Sequence, residues 1–137
     1  MFMTRETDYA LRILRTLSCG GSFTAGELAM REVLPEKFTY KILKKLEKAG
    51  IIRITRGVNG GCSLSCDLQE KSLYDLIEAV EMNTKISPCM GCGYVCEWRD
   101  ETGNICRIHN QLCEVQGLLD EVLRSKSLAW VMDKPAE

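Results

Sequence analysis

Residues 36–61, EKFTYKILKKLEKAGIIRITRGVNGG, decide the fold of this 137-residue chain. The first half, Glu36–Ala49, has apolar residues at helical spacing between lysines, and Gly50 follows as a C-cap. The predicted apolar stripe of this helix consists of Phe38, Ile42, Leu43 and Leu46. The second half opens with the β-branched run Ile51–Thr55, and its glycines and asparagine indicate a tight turn before a second strand at Cys62–Cys66. A lysine-rich helix followed by a hairpin is typical of a recognition helix and its wing.

The residues before this stretch supply the other helices of a helix-turn-helix. Residues 4–18 place apolar side chains on one face at helical spacing. Thr24 and Glu27 form a capping-box pattern, which starts a second, short helix at Ala25–Arg31. The predicted fold is therefore mainly α with a small β wing, and the winged helix-turn-helix domain covers residues 1–82.

A long helix is predicted near the end of the chain. Ser72 and Asp75 first start a helix over residues 73–82, and apolar residues recur from Ile105 at the spacings of a coiled-coil seam. The seam consists of Ile105, Ile108, Leu112, Val115, Leu119 and Val122. A second copy related by a two-fold axis is the simplest partner for such a seam. We therefore expect a homodimer, with a dimerisation helix at residues 105–130 and a tail at residues 131–137.

Soft donor atoms are concentrated between these two units. Five of the eight cysteines and the only histidine fall between Cys89 and Cys113, in and just after a predicted cysteine-rich loop at residues 83–104. The N-terminus is charged and no run of 18 apolar residues occurs, so we expect a cytoplasmic protein without a membrane segment. In that reducing compartment the cysteines favour metal binding, redox chemistry or packing over disulfides. Iron-sulfur, zinc and metal-free thiols are the alternatives.

The charge distribution points to nucleic acid. Residues 37–57 hold seven basic side chains and one glutamate, a net charge of +6, so the overall charge of -1 leaves -7 for the rest. A basic patch on an acidic protein suits phosphate contact. We expect Arg56 to reach a minor groove and Thr39, Tyr40 and Lys41 to read base edges. The full set of predicted DNA-binding residues is Lys37, Thr39, Tyr40, Lys41, Lys44, Lys45, Arg56 and Asn59.

Four motifs together resemble one known family. They are TDYALRIL at 7–14, ILKKLEKAGIIRITRGVNGG at 42–61, SLYDLIEAVE at 72–81 and CRIH at 106–109. Over residues 1–125 the chain resembles the Rrf-type winged-helix transcriptional regulators, the group of IscR-like and NsrR-like iron-sulfur regulators. The resemblance implies a dimeric cytoplasmic factor that binds a palindromic operator in double-stranded DNA. It also implies a 2Fe-2S or 4Fe-4S cluster in the loop before the dimerisation helix.

The resemblance also implies a set of metal ligands. By position these are Cys89 or Cys92, then Cys96, Cys106 and His109, with Asp8 supplied by the partner chain. The gap from Cys96 to Cys106 is longer than the family spacing and Cys92 is an extra thiol, so the exact ligand set stays open. Tyr40 stands where the family often has a glutamate that can accept a hydrogen bond from cytosine, so no operator sequence is inferred.

The sequence thus predicts a dimeric DNA-binding transcription regulator that senses iron-sulfur status, redox state or nitric oxide. An enzyme is not expected, because no base and nucleophile pair accompanies the cysteines. A small iron-sulfur electron carrier or scaffold is one alternative, and a metal-free thiol-redox or zinc-structured regulator is another. Cys62 and Cys66 are interpreted as core residues, with a redox pair as the other possibility.

Overall fold

The computed structural model describes residues 3–133. Its elements in chain order are α1 (Arg5–Leu17), α2 (Ala25–Glu32), α3 (Glu36–Lys48), β1 (Ile52–Thr55), β2 (Gly61–Leu64), α4 (Leu73–Val80), a single 3₁₀ turn (Pro88–Met90), α5 (Glu97–Thr102), α6 (Arg107–Ser125) and α7 (Leu128–Met132). The predicted fold class, mainly α with a two-stranded wing, is confirmed. Within the described range, no helix combines the length and apolar character needed to cross a bilayer.

Local sequence explains where the helices begin. Thr24 and Glu27 form a reciprocal capping box at the start of α2, as predicted, and Ser72 and Asp75 do the same for α4. Thr4 caps α1 by accepting a hydrogen bond from the Glu6 N–H at 3.1 Å. These side chains satisfy backbone donors that have no partner inside their own helix.

The core lies between α1, α2, α3, α4 and the hairpin. Ile42, Leu43 and Leu46 are buried in it as predicted, but the predicted position of Phe38 in the stripe is wrong. Phe38 is 46% exposed and contacts Tyr9 edge-on, while Thr39 is fully buried. Positions 39, 42, 43 and 46 follow helical spacing, so the stripe continues through residue 39. The buried Thr39 hydroxyl is still hydrogen-bonded, because it donates to the Pro35 carbonyl at 3.1 Å.

The wing is an antiparallel hairpin in which Ile52 pairs with Leu64 and Thr55 with Gly61. It is one residue shorter at its start than predicted, and the second strand is shifted so that Cys66 lies outside it. Phe23 extends the sheet through a bridge to Cys62. Gly61 permits this approach, since a Cβ atom there would lie 2.5 Å from the Ser22 hydroxyl oxygen.

The predicted continuous helix over residues 105–130 is wrong at its end. The chain leaves helical geometry at Lys126, and Ser127 caps the separate helix α7. Leu128 is fully buried in the core and its N–H donates to the Lys71 carbonyl at 2.7 Å. The C-terminal segment therefore packs on the DNA-binding unit, because burial of Leu128 and backbone pairing with α4 outweigh continuation of the long helix.

The predicted tail at 131–137 begins inside α7, and residues 134–137 lie outside the described residues.

The predicted loop at 83–104 contains a helix. Within it the chain forms the short helix α5, which the sequence pattern did not indicate. None of the α5 side chains is buried, so α5 needs no apolar face that a sequence pattern could reveal.

Candidate functional site

The recognition helix and the wing present a basic surface. Of the predicted DNA-binding residues, six are exposed: Lys37, Tyr40, Lys41, Lys44, Arg56 and Asn59. Thr39 is not among them, because it is buried and its hydroxyl is used within α3. Lys45 is only 25% exposed, so it contributes little to this surface.

A groove of about 390 Å³ separates α3 from the wing and brings together residues that are distant in sequence. Tyr40 and Lys44 line one wall, and Arg56 and Gly57 line the other. The N-cap residue Thr24 lies at its end. A phenol, an ammonium and a guanidinium on adjacent elements provide both hydrogen-bond donors and an aromatic surface for nucleic acid.

Glu6 on α1 offsets part of the positive charge of α3. Its carboxylate accepts from the Lys41 ammonium at 2.6 Å and also pairs with Lys45. Hydrogen bonds from these two lysines lower the pKa of Glu6, so it stays ionised at neutral pH. Sequence reasoning missed this residue, since the interaction joins positions 35 and 39 residues apart.

The cysteine loop closes over the start of α6 and forms a cavity of about 390 Å³. Cys89, Cys96, Cys106 and His109 all line it, together with Ser87 and Leu112. Cys106 is the N-cap of α6, and its sulfur accepts from the His109 N–H at 3.4 Å. Two of the predicted ligands are thus carried by a helix start and two by the loop.

The His109 imidazole lies between two thiols. Its Nδ1 is 3.2 Å from the Cys89 sulfur, and its Nε2 is 3.4 Å from the sulfur of Cys113 one helical turn later. The Ser87 hydroxyl approaches the Cys89 sulfur to 3.1 Å. Cys89 is therefore oriented by two neighbours.

The remaining predicted ligands are not brought to this cavity. Cys92 is exposed and does not line it, which separates Cys92 from Cys89. Asp8 lies exposed on α1 and forms a 3.1 Å ion pair with Arg12. Within residues 3–133, no three histidine, cysteine or acidic side chains converge tightly enough to hold a single metal ion.

Gln116 fastens the beginning of the loop to α6. It is 5% exposed, and its side-chain oxygen accepts from the Ile86 N–H at 2.8 Å. Its amide donates to the Asp120 carboxylate at 2.8 Å and to the Thr84 carbonyl at 3.4 Å. A glutamine inside the predicted coiled-coil region was the only sequence signal for this contact.

Cys62 and Cys66 are both free thiols near the core. Burial raises the pKa of each, which disfavours the reactive thiolate. The Cys66 thiol lies 3.6 Å from the Ile51 carbonyl. These environments favour the packing interpretation over a redox pair.

The outer face of α6 is apolar and exposed. Leu112 and Leu119, predicted in the seam, are instead partly covered by their own chain. Leu118, which the pattern did not include, is exposed in their place. The exposed apolar residues of α6 are Ile108, Val115, Leu118 and Val122.

Comparison with known proteins assigns the family. The family model described as Rrf2, iron-dependent transcriptional regulator, matches residues 3–134. The chain belongs to the Rrf2 family. A Lactococcus lactis relative, YffB, provisionally named an HTH-type transcriptional regulator, is 32% identical over 133 residues, which cover 94% of this chain and 83% of YffB. The Rhizobium meliloti protein aau3 is 31% identical over 106 residues, covering 75% of this chain and 69% of aau3. As an Rrf2 protein, this chain is a DNA-binding transcription regulator and not an enzyme.

Solved structures share the same fold. IscR of T. potens superposes with a TM-score of 0.72 at 20% identity, and the match covers 96% of this chain and 86% of IscR. CymR of B. subtilis, described as the global cysteine regulator, has a TM-score of 0.72 at 22% identity and 96% coverage of both chains. IscR and CymR both share the fold of this chain. The fold alone therefore does not identify the signal to which this chain responds.

Proposed function

We propose that this Rrf2 protein is a cytoplasmic homodimer that binds a palindromic operator and senses iron-sulfur status, redox state or nitric oxide through an iron-sulfur cluster. The observation that carries the sensing part is the single cavity lined by Cys89, Cys96, Cys106 and His109. Thiolates are the usual ligands of such clusters, and histidine replaces cysteine in some of them. The donor chemistry of the cavity therefore fits a cluster.

The loop and the helix would contribute differently to this site. Cys106 and His109 lie on the first turn of α6 and keep a fixed spacing. Cys89 and Cys96 approach them from the loop, so they set how tightly the loop closes. Bound there, a 2Fe-2S or 4Fe-4S cluster would supply a centre whose charge changes on oxidation or reduction. Asp8 is exposed, and as a ligand to the site of a partner chain it would exchange its ion pair with Arg12 for the cluster.

The dimer is proposed on the exposed apolar face of α6. Val115, Leu118 and Val122 lie at spacings of 3 and 4 and leave large apolar side chains in water. Pairing with the same face of a second copy would cover them. It would also place the two recognition helices symmetrically, as a palindromic operator requires.

The dimer can be tested by light scattering at micromolar concentration. We expect twice the chain mass for the wild type and a monomer for Leu118→Glu, because a carboxylate would be buried without a partner. Asn110→Glu adds the same charge to an exposed position of α6 outside the apolar face and should remain dimeric. A monomeric wild type would contradict the proposal.

The cluster can be tested on anaerobically purified protein by its visible absorbance and its iron and sulfide content. Cys89→Ser is expected to lose most of the bound iron, because it removes a thiolate from the cavity. Cys92→Ser is the matched control and should retain iron, since Cys92 does not line the cavity. Colourless protein with stoichiometric zinc would replace the cluster by a structural zinc site.

The DNA surface can be tested with an operator selected from random duplexes. Arg56→Ala should weaken binding and lower the slope of log affinity against log salt by about one, because one phosphate or groove contact is lost. Lys85→Ala removes the same charge from an exposed loop position and should leave both unchanged. An unchanged salt slope for Arg56→Ala would remove the wing from the interface.

A metal-free thiol regulator is the second candidate. It is favoured by the position of the His109 ring between the sulfurs of Cys89 and Cys113, at 3.2 and 3.4 Å. The two candidates differ after chelation: a cluster sensor loses its response of operator affinity to oxidants, whereas a thiol sensor retains it.

A further inference from the structure

The end of α4 is held from two sides, shortly before the cysteine loop begins at residue 83. The Glu81 carboxylate accepts from the Thr4 N–H at 3.0 Å, the Thr4 hydroxyl at 2.7 Å and the Thr7 hydroxyl at 2.5 Å. The Val80 carbonyl accepts from the Lys45 ammonium at 2.7 Å. These contacts fix α4 to the start of α1 and to the recognition helix α3.

Lys45 differs from the other lysines of α3 in what it contacts. Lys44 is exposed, whereas Lys45 is largely covered and divides its donors between Glu6 and the Val80 carbonyl. To reach a phosphate, the Lys45 ammonium would have to give up its contacts with Glu6 and the Val80 carbonyl. Lys45 was predicted as a DNA contact from its positive charge alone. The sequence pattern does not show which way a lysine side chain points.

Glu81 is as firmly held as Lys45. Burial disfavours its charged form, but the hydrogen bonds from Thr7 and Thr4 outweigh that effect and lower the pKa of Glu81. Met82, the next residue, is fully exposed. The anchored end of α4 is therefore followed directly by an exposed residue, just before the cysteine loop begins.

We propose that Lys45 and Glu81 are positioning residues that couple the cysteine loop to the recognition helix. The coupling rests on the proposed function, because it gives the sensing loop a route to DNA. A shift of the loop pulls on Val80 and Glu81, and Lys45 transmits the displacement to α3. α3 also packs directly on α4, and the contact between Lys45 and Val80 lies at the end of α4 nearest the loop.

The test compares two lysine variants of the full-length protein. Lys45→Met and Lys44→Met each remove one positive charge from α3. On mixed-sequence duplex DNA, Lys44→Met should lower the salt slope by about one, whereas Lys45→Met should leave it unchanged. Equal loss of slope in both variants would make Lys45 an ordinary phosphate contact and overturn the inference.

The second measurement is the ratio of operator affinity between cluster-loaded and cluster-depleted protein. Lys45→Met should bring this ratio close to one, Lys45→Arg should restore it, and Lys44→Met should keep the wild-type ratio. A merely structural lysine would weaken both forms equally and leave the ratio unchanged. That outcome would also contradict the coupling.

Amide hydrogen exchange separates failure of this inference from failure of the proposed function. If wild-type affinity does not depend on the cluster, the sensing proposal fails, and the anchoring is then decided by exchange alone. Lys45→Met and Glu81→Gln should each speed exchange in the last turn of α4 by about tenfold, whereas Lys44→Met should not. Glu81→Gln leaves the positive charges of α3 unchanged. It replaces Lys45→Met as the test variant if Lys45→Met does not fold. Unchanged exchange in both would overturn the anchoring.

Discussion

The DNA-binding unit and the cysteine region differ in how far their large apolar side chains are buried. In the unit formed by α1 to α4, the hairpin and α7, large apolar residues such as Ile13, Leu46 and Leu76 are fully buried. In α6, only Gln116 and Leu123 are buried, and Val115 and Leu118 face outward. The first region completes its packing with its own residues. The second leaves apolar side chains exposed and donor atoms around a cavity, where we propose a second copy and a cluster.

Leu128→Ala tests the assignment of α7 to the self-contained unit and has the largest expected effect. Removing a fully buried leucine should lower the free energy of unfolding by about 2–4 kcal/mol, because it loses apolar burial and leaves a cavity. Chemical denaturation measures the change. Val58→Ala on the exposed tip of the wing is the control, with less than about 0.5 kcal/mol expected. Similar losses in both would place α7 outside the core.

Gln116→Ala tests the buried glutamine that joins α6 to the cysteine loop. It leaves the Ile86 N–H without its side-chain acceptor, a cost of about 1–3 kcal/mol. Exchange of the Ile86 amide should therefore accelerate by about tenfold or more, since about 1.4 kcal/mol corresponds to tenfold. Gln111→Ala, at an exposed position of the same helix, should leave that rate unchanged. No acceleration in Gln116→Ala would mean that the loop is held by other contacts.

Glu32→Gln tests an ion pair within the self-contained unit. The Arg15 guanidinium, with help from the Thr16 hydroxyl, lowers the pKa of Glu32 despite its burial. A carboxyl whose pKa is lowered by folding stabilises the protein above its unfolded pKa, and this contribution disappears as pH falls through the folded pKa.

The expected loss for Glu32→Gln is about 1–2 kcal/mol at pH 7, because charge-assisted hydrogen bonds are replaced by neutral ones. The difference from wild type should shrink as pH falls below 4.5, the ordinary value for this group. Chemical denaturation at pH 7 and at a pH below 4.5 measures this difference in unfolding free energy. Glu70→Gln at an exposed site should differ little from wild type at either pH. A pH-independent loss would point to packing and not to charge.

Val33→Asn should give the smallest change and the opposite sign. Val33 joins α2 to α3 with φ of 56°, the left-handed region that β-branched residues avoid, and it is exposed. Asparagine tolerates this geometry, so we expect a gain of about 0.5–1 kcal/mol in unfolding free energy. Val58→Asn makes the same exchange at another exposed valine without positive φ. Destabilisation by Val33→Asn would show that Val33 makes a compensating contact.

The candidate site was only partly readable from the sequence. The family resemblance grouped Cys89 or Cys92 with Cys96, Cys106 and His109, and the structure places Cys89, Cys96, Cys106 and His109 around one cavity. Neither the resemblance nor the spacing could separate Cys89 from Cys92, because the loop decides which thiol turns inward. They could not reveal Gln116 either, since that contact depends on how the loop lies against α6.

The sequence by itself determined the helices α1 to α4, the hairpin and the capping boxes of α2 and α4, because periodicity and capping depend on residues close in the chain. Only the tertiary structure decided that Thr39 and not Phe38 enters the core, that Lys45 contacts Glu6 and the end of α4, and that the chain turns back at Lys126. Each of these depends on the direction from which a distant element packs. A linear pattern carries no information about that direction, so helical spacing alone could not supply it.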